Sequence, residues 1–412
     1  MSVDDIEKKQ RDAIFIIESL RAGVPTRLAT RELPDLRKNI TDTIRMDLDS
    51  FSPDHIPEGR IVWGDYGQGK THVLAAAEHV ALDSHFAVSR VSLSREVSCH
   101  ILFNFYKRVA PIVKTPTPNT HFTGIQTYLN KKKGSEITTS VITEPGHYVH
   151  PLPVIILEDY FYTDGEEQDK LYADLMGIRI PRAELKRIHR ASRKMDLPKH
   201  DSFRHTEHTS AYFGVLADAI QFCGFKGWVI LIDEMELIGH LGKVSRMKAY
   251  RNLNWLLNWN KKMNYPIYTV IATAPDLQIN LWYGVGEEDD SVIMPLLAKE
   301  RIGMEAASEM SQFFEKLNGE SIQVKPPDEI ELIQLLNKIV SLHGMAYQWT
   351  PEFNTTALLH QLGSETVRTY IRATLEALDL KMLYNEDIKP EAAPVTELKL
   401  VENESFFSPE EQ

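Results

Sequence analysis

The chain has 412 residues, of which 43% are hydrophobic and 25% are charged, and these are the proportions of an ordinary soluble globular protein. Its length predicts two or three structural units with a large core. The formal net charge of −12 argues against a protein that coats nucleic acid with a uniformly basic surface, although it leaves room for a local basic groove.

The sequence lacks signals for export or for a membrane. Two cysteines, Cys99 and Cys223, offer neither a disulfide framework nor a CxxC metal site, which suits a reducing compartment. The N-terminal residues MSVDDIEKKQ are charged and lack the apolar core of a signal peptide. No apolar run reaches the roughly 18 residues of a membrane helix. We therefore expect a soluble cytoplasmic protein.

The N-terminal segment, residues 1–58, is predicted to be helical. Apolar residues at helical spacing predict a first helix over 4–24 and a second over 31–50. Pro53 and Pro57 then mark a linker before the first strand.

Strands and helices alternate beyond this linker, which is typical of a parallel α/β sheet flanked by helices. The predicted strands are 60–63, 85–93, 227–234 and 265–274. The predicted helices beyond the linker are 70–82, 97–110, 328–344 and 366–384. We therefore predict a sheet core at 59–320 with a mostly helical insertion at about 113–222, a helical lid at 321–385 and an acidic tail at 386–412.

A phosphate-binding motif follows the first strand. Gly64, Gly69, Lys70 and Thr71 match G-x-x-x-x-G-K-[ST] in full, between a strand-like and a helix-forming segment. The backbone N–H groups of such a loop bind phosphate oxygens, the lysine contacts the β- and γ-phosphates of ATP, and the threonine hydroxyl ligates Mg²⁺. The predicted nucleotide contacts are Gly64, Asp65, Tyr66, Gly67, Gln68, Gly69, Lys70, Thr71 and His72.

Such a loop needs an acidic partner at the end of a neighbouring strand, and two segments qualify. VIILED (154–159) follows two prolines and has glutamate before aspartate, so we interpret it as a core helix or strand with a solvated end. VILIDE (229–234) ends a buried run in Asp233 and Glu234. We predict that Asp233 holds Mg²⁺ and that Glu234 orients the water that attacks the γ-phosphate.

Four further polar residues are candidates for the reaction. Thr273, at the end of the next predicted strand, is placed to sense the γ-phosphate. Arg301 is either an arginine finger that reaches a neighbouring subunit or a surface residue at a helix end. Arg368 and Arg372 lie four residues apart on one predicted helix face, as phosphate contacts from the lid or as a solvated basic face.

The order of these motifs resembles AAA+ ATPases of the origin-recognition type. The N-terminal segment IIESLRAGVPTRLATRELPDLR (16–37) and the loop segment IVWGDYGQGKTHVL are similar to those of BrxD-like P-loop proteins of bacterial BREX phage-defence systems. GWVILIDEMELI, SRMKAYRNLNWLL (245–257) and LMGIRIPRAELKRI (175–188) also resemble that family. The resemblance covers most of residues 10–385. It implies an AAA+ type sheet that binds ATP and Mg²⁺ through Gly67, Gly69, Lys70, Thr71, Asp233 and Glu234.

The sequence also suggests two kinds of partner, DNA and another protein. The most basic stretch, at about 182–194, is either a DNA contact or a solvated helix face in an acidic protein; its basic residues are Arg182, Lys186, Arg190, Arg193 and Lys194. The resemblance implies a protein partner in a defence complex, such as a helicase, and a homo-oligomer is also possible.

Three functions are compatible with the sequence: an ATPase motor or switch that acts on DNA, a nucleotide-gated adaptor with little turnover, and a small-molecule kinase. The Asp-Glu pair and the lid favour the ATPase.

Overall fold

A computed structural model describes residues 3–23, 26–52, 54–116, 124–133, 146–282 and 288–384. The predicted acidic tail, 386–412, lies outside these ranges. Within them, no helix combines the length and the apolar character that crossing a bilayer requires.

The sheet has five parallel strands in the order β2-β3-β4-β1-β5. The strands are β1 Arg60–Trp63, β2 Ala87–Ser92, β3 Trp228–Asp233, β4 Ile267–Thr273 and β5 Ile322–Gln323. The first four confirm the predicted strands. We did not predict β5, because two residues are too short to carry an alternating pattern. The register pairs Trp63 with Thr273 and Ser92 with Asp233, so the carboxyl ends of the central strands meet at one edge.

Sixteen α-helices fall within the described ranges. Those outside the insertion are α1 Val3–Arg21, α2 Arg27–Glu32, α3 Lys38–Ser50, α4 Lys70–Asp83, α5 Leu102–Val109, α11 Lys243–Leu256, α12 Met294–Arg301, α13 Met304–Glu320, α14 Glu329–Tyr347, α15 Thr355–Leu362 and α16 Val367–Tyr384. The insertion supplies α6 Ile125–Lys131, α7 Leu152–Tyr162, α8 Gly165–Leu175, α9 Arg182–Arg193 and α10 His205–Phe222.

The predicted single helix over 31–50 is wrong, because α2 ends at Glu32 and α3 begins at Lys38. Pro34 lies in the gap and has no N–H to donate to a helix, and its ring disfavours helical backbone in the residue before it. The break places Arg37 at the N-terminus of α3. VIILED (154–159) forms part of helix α7, which confirms the core helix. Its predicted solvated end is wrong, because Asp159 is fully buried and lies 2.9 Å from His189.

Three hydrophobic clusters organise these elements. On one face of the sheet, α3 and α4 pack against alternate side chains of the strands through residues such as Ile44, Leu74 and Val229. The opposite face is covered by α5, α10, α11 and α13, and the insertion helices extend this larger cluster. The third cluster joins α1 and α2 to α14, α15 and α16, so the N-terminal helices share a core with the C-terminal ones.

Polar contacts strengthen the junction between the two ends of the chain. Arg21 on α1 donates to the Tyr347 hydroxyl at 2.8 Å and pairs with Asp379 on α16. His343 on α14 lies 2.9 Å from the same carboxylate. The N-terminal helices and the C-terminal helices therefore form one unit that lies beside the sheet.

A buried ion pair holds the chain that follows β4. Arg246 on α11 donates through Nε and Nη2 to the two carboxylate oxygens of Asp289 at 2.9 and 3.0 Å, and both side chains are fully buried. Removing one partner of such a pair leaves a charge buried without compensation, which costs about 3–5 kcal/mol.

We therefore expect Asp289→Asn to lower the urea midpoint of unfolding clearly, as followed by tryptophan fluorescence. The matched control is Asp290→Asn, since the neighbouring carboxylate is partly exposed and its loss should change stability by less than about 0.5 kcal/mol. Equal midpoints for the two variants would contradict a stabilising role for the Arg246 pair.

Candidate nucleotide site

The loop between β1 and α4 is shaped by two glycines. Gly67 and Gly69 have φ angles of 80° and 96°, which side chains with a Cβ atom rarely adopt. The loop is fixed at its start because the Gly64 N–H donates to the Thr273 carbonyl at 3.2 Å. Its end is the N-terminus of α4, a helix of 14 residues whose first N–H groups and dipole favour an anion.

Lys70 lies inside this loop, with 7% of its surface exposed. Its Nζ donates to the carbonyl oxygens of Gly64 at 2.6 Å and Asp65 at 3.2 Å, and it lies 4.8 Å from the centre of the Tyr66 ring. Burial lowers the pKa of Lys70, while the negative charges of Glu236 and Asp233 raise it. The ammonium group is thus held over the loop, next to the acidic residues of β3.

The acidic residues at the end of β3 occupy different environments. Asp233 is 3% exposed, and one of its carboxylate oxygens accepts the Glu234 N–H at 3.0 Å. Glu234 is exposed and has a left-handed backbone with φ 61°, which turns the chain out of the strand. Burial raises the pKa of Glu234, and the neighbouring charges of Asp233 and Glu236 raise it further.

Glu236 is a site residue that the sequence analysis missed. It is 2% exposed, lines the same cavity, and accepts the Ala274 N–H at 3.0 Å. Burial raises the pKa of Glu236, because the charged carboxylate loses solvation inside the protein. The signal in the sequence was a third acid two residues after Glu234, at the start of the short 3₁₀ helix Met235–His240. Glu236 links this turn to the backbone at the end of β4.

Thr273 ends β4 between the loop and the acidic turn. Its side chain is fully buried, and its hydroxyl makes only a long contact of 3.4 Å to the Ala274 carbonyl. Its own carbonyl accepts from Gly64, and Glu236 holds the next residue. The backbone at Thr273, the predicted sensor, is therefore hydrogen-bonded to the phosphate loop on one side and, through the next residue, to Glu236 on the other.

A cavity of about 260 Å³ extends from the loop toward the helical unit. Its polar end is formed by residues 66–72 together with Asp233, Glu234 and Glu236. Its other end is lined by apolar side chains of the N-terminal and C-terminal helices, namely Leu20, Leu33, Leu36, Leu335, Val367 and Ile371. The cavity thus offers a charged end and an apolar end, as a nucleotide requires.

The C-terminal helical segment, predicted as a lid, approaches the loop closely. A Cβ atom at Gly67 would lie 2.8 Å from Thr366 Oγ1, so the side chain of Thr366, just before α16, packs against the loop where glycine leaves room. Of the two arginines predicted on this helix, Arg368 lines the cavity, whereas Arg372 lines a second pocket with Asp379 and Glu376. Both side chains lie within 4 Å of the position that a Cβ atom would take at Gly23, which also lines the cavity. The structure therefore places Arg368 in the cavity and Arg372 at its edge.

Arg301 is not brought to this cavity. It is the last residue of α12, is exposed, and is absent from the residues that line the site. A finger role for Arg301 would need a second chain.

The basic helix α9 belongs to the insertion and is partly neutralised. Arg190 pairs with Asp196, and Arg193 lies 3.5 Å from Glu158. Arg182, Lys186 and Lys194 are exposed. The apolar residues of α9 face α7, where the buried Asp159 lies 2.9 Å from His189. Four of the five predicted cations are therefore exposed, and one of these four, Arg190, is paired with Asp196.

The residues of the site suit Mg²⁺ in the presence of phosphate. Thr71 follows Lys70 in the first turn of α4, and Asp233 is a buried carboxylate at the facing strand end. Mg²⁺ commonly takes one or two protein oxygens and completes its shell with phosphate and water. Within the described ranges no three histidine, cysteine or acidic side chains cluster as an all-protein metal site. The donor set therefore fits a cation shared with a nucleotide.

Sequence comparison identifies the family of this chain. The family described as BREX system ATP-binding protein BrxC/D matches residues 6–131 and 204–386, which include the loop, the acidic strand and the helical unit. The chain therefore belongs to the BrxC/D family of BREX system ATP-binding proteins, and the predicted resemblance is confirmed over these residues. The segment 175–188, for which a resemblance was also predicted, lies outside them. The match leaves out residues 132–203, which hold α7, α8 and α9. No curated protein and no solved structure matches the chain.

Proposed function

We propose that this chain is a Mg²⁺-dependent ATPase of the P-loop, AAA+ type that acts on DNA as a motor or switch in a cytoplasmic BREX-like defence complex. The single observation that carries the proposal is the arrangement of Lys70, Asp233 and Glu234 around one cavity, with the lid against the loop. The family supports ATP as the nucleotide.

The two ends of the cavity suit the two ends of ATP. The loop residues 64–72 would bind the triphosphate, since Gly67 and Gly69 turn the N–H groups of the loop toward an anion. The apolar end would take the adenine ring between α1, α2 and the C-terminal helices. Arg368 would contact the phosphates from the lid. Binding would thereby connect the sheet to the helical unit.

The catalytic step follows from the placement of charge. Glu234 would orient a water molecule in line with the γ-phosphate, since it lies at the mouth of the cavity and its raised pKa favours accepting a proton. Lys70 would stabilise the charge that develops on the γ-phosphate oxygens, and Thr273 would report whether that phosphate is present. Mg²⁺, held by Thr71 and Asp233, would neutralise phosphate charge.

The output is proposed to pass through the helical unit and the insertion. Thr366 touches the loop, so loss of the γ-phosphate would release the lid and change its angle to the sheet. The exposed cations Arg182, Lys186 and Lys194 on α9 are the proposed DNA contacts. Arg301 is proposed as a finger toward a second copy, and a helicase is the proposed class of protein partner.

A nucleotide-gated adaptor is the second candidate. The contact between Thr366 and the loop favours it equally, because it would signal bound nucleotide without turnover. Glu234 separates the two functions, since an adaptor has no use for a residue that orients water.

The test is steady-state phosphate release by the purified chain with and without double-stranded DNA. We expect turnover that rises with DNA, and we expect the triple variant Arg182→Gln, Lys186→Gln, Lys194→Gln to lose the rise and keep the basal rate. The control removes three exposed charges from α1 instead, at Lys8, Lys9 and Arg11.

Each outcome assigns a function. A DNA-dependent rise that survives in the α9 variant would place the DNA contact elsewhere. Tight ATP binding without turnover under any condition would replace the motor with the adaptor. Failure to bind ATP at all would overturn the proposal.

A further inference from the structure

A buried arginine faces the cavity from the N-terminal helices. Arg37 immediately precedes α3, lines the cavity and is only 5% exposed. Its Nη1 donates to the Leu36 carbonyl at 2.7 Å, and its Nη2 donates to the Gln68 carbonyl of the loop at 3.1 Å. Its Nε is buried and has no hydrogen-bond partner among the residues described. Arg37 thus touches the phosphate loop with one donor unused.

The charge of this guanidinium is poorly compensated within the chain. Its two hydrogen bonds go to neutral carbonyl groups, and no carboxylate in the described ranges forms an ion pair with it. Burial lowers the pKa of Arg37, and the charges of Glu331 and Asp35 offset this only in part. A buried cation without a paired anion is unfavourable, so an anionic ligand in the cavity would offset the cost.

The contact of Arg37 with the loop indicates which part of a nucleotide it would meet. Gln68, whose carbonyl accepts from Nη2, lies two residues before Lys70 within the G-x-x-x-x-G-K-[ST] motif. The backbone of such a loop binds the phosphate groups of a nucleotide. Arg37 would therefore meet a phosphate group rather than the adenine ring.

We propose that Arg37 is a nucleotide-binding residue whose guanidinium binds a phosphate group that nucleoside di- and triphosphates share. The inference rests on the proposed nucleotide site and adds a contact that lies outside the G-x-x-x-x-G-K-[ST] motif. Because ADP and ATP share that phosphate, Arg37 serves binding and not hydrolysis. It also connects occupancy of the site to the N-terminal helices, which carry it.

The test is competition by ATP, ADP and adenosine against a fluorescent ADP analogue, with wild type, Arg37→Met and the exposed control Arg45→Met on α3, the helix that Arg37 precedes. Loss of a charge-assisted contact of about 1.5–3 kcal/mol corresponds to about 10–100-fold weaker binding. We expect Arg37→Met to weaken ATP and ADP by the same factor, to leave adenosine competition unchanged, and to keep kcat at saturating ATP within about twofold. Arg45→Met should match wild type.

A structural role for Arg37 would give a different pattern. If it only shapes the loop, adenosine competition or kcat would fall together with ATP affinity, and that result would overturn the inference. Should Arg37→Met fail to fold, Arg37→Lys retains the charge and should show a smaller but equal loss for ATP and ADP. Wild type that binds no ATP would refute the nucleotide site itself, whereas normal ATP binding by a folded Arg37→Met would refute only the role of Arg37.

Discussion

Lys70→Ala should abolish nucleotide-dependent activity while leaving the fold intact. The variant loses the one ammonium group that the loop holds over its own carbonyls, at Gly64 and Asp65. We expect ATP affinity to fall about 10–100-fold, as for a lost charge-assisted hydrogen bond, and kcat to fall about 100–1000-fold, as for a lost donor to a transition state. Isothermal titration with ATP and phosphate release at saturating ATP measure the two effects.

The matched control for this variant is Lys8→Ala, which removes an exposed lysine from α1. Its affinity and turnover should equal those of wild type. Because Lys70 is buried, its removal also takes side-chain contacts out of the loop and could destabilise the fold. A thermal melt of the apo protein separates loss of function from loss of fold. Unchanged ATP binding and turnover in folded Lys70→Ala would contradict the assignment of the loop.

Glu234→Gln should separate binding from hydrolysis. Glutamine keeps the size of the side chain but cannot act as a base, so we expect kcat to fall about 100-fold or more. ATP should bind at least as tightly as in wild type, since one negative charge near the γ-phosphate is gone. Filter binding with labelled ATP should therefore find ATP, rather than ADP, retained on the variant.

The pH dependence of the wild type gives a second readout of the same residue. Burial and the charges of Asp233 and Glu236 raise the pKa of Glu234, so it becomes protonated at a higher pH than an ordinary glutamate. Turnover should fall as the pH drops through this raised pKa, and the residual turnover of Glu234→Gln should lack that acid limb. Turnover in Glu234→Gln equal to that of the exposed control Glu7→Gln would exclude Glu234 from the reaction.

The stability of the folded protein gives an independent check on the direction of the pKa shift of Glu234. A glutamate whose pKa is raised by folding destabilises the folded state once the pH exceeds its unfolded pKa, and the full cost is present above the raised value. The melting temperature of apo Glu234→Gln at neutral pH should therefore equal or exceed that of wild type. A lower value would mean that the charge of Glu234 has a stabilising partner.

Local patterns in the sequence predicted much of the fold. Runs such as VILID and IYTVIAT are buried strands because continuous β-branched and apolar residues suit a sheet covered on both faces. The helices α4 and α14 begin close to their predicted positions, since a glycine loop and an Asp328–Glu331 capping box mark their N-termini. The break at Pro34 and the two-residue strand β5 were not predicted. Each spans too few residues to change the spacing of apolar residues along the chain.

Sequence spacing also led to the core of the candidate site, since the loop motif and the Asp-Glu strand end are short-range patterns. Glu236 and Arg37 were not predicted, because their importance comes from what they face. Glu236 accepts from the backbone N–H of Ala274, which directly follows β4, and Arg37 donates to the carbonyl of Gln68, which lies 31 residues later in the sequence. Such contacts depend on packing between distant segments, which a single sequence does not display.

The sequence by itself determined which elements form, where the phosphate loop lies, and which family the chain belongs to, because each rests on residues that are neighbours along the chain. The tertiary structure decided the rest. It joined the N-terminal helices to the C-terminal ones, placed Arg368 in the cavity, Arg372 at its edge and Arg301 away from it, and paired Arg190 and Arg193 with carboxylates. The physical reason is that burial and charge compensation are properties of surfaces brought together by folding.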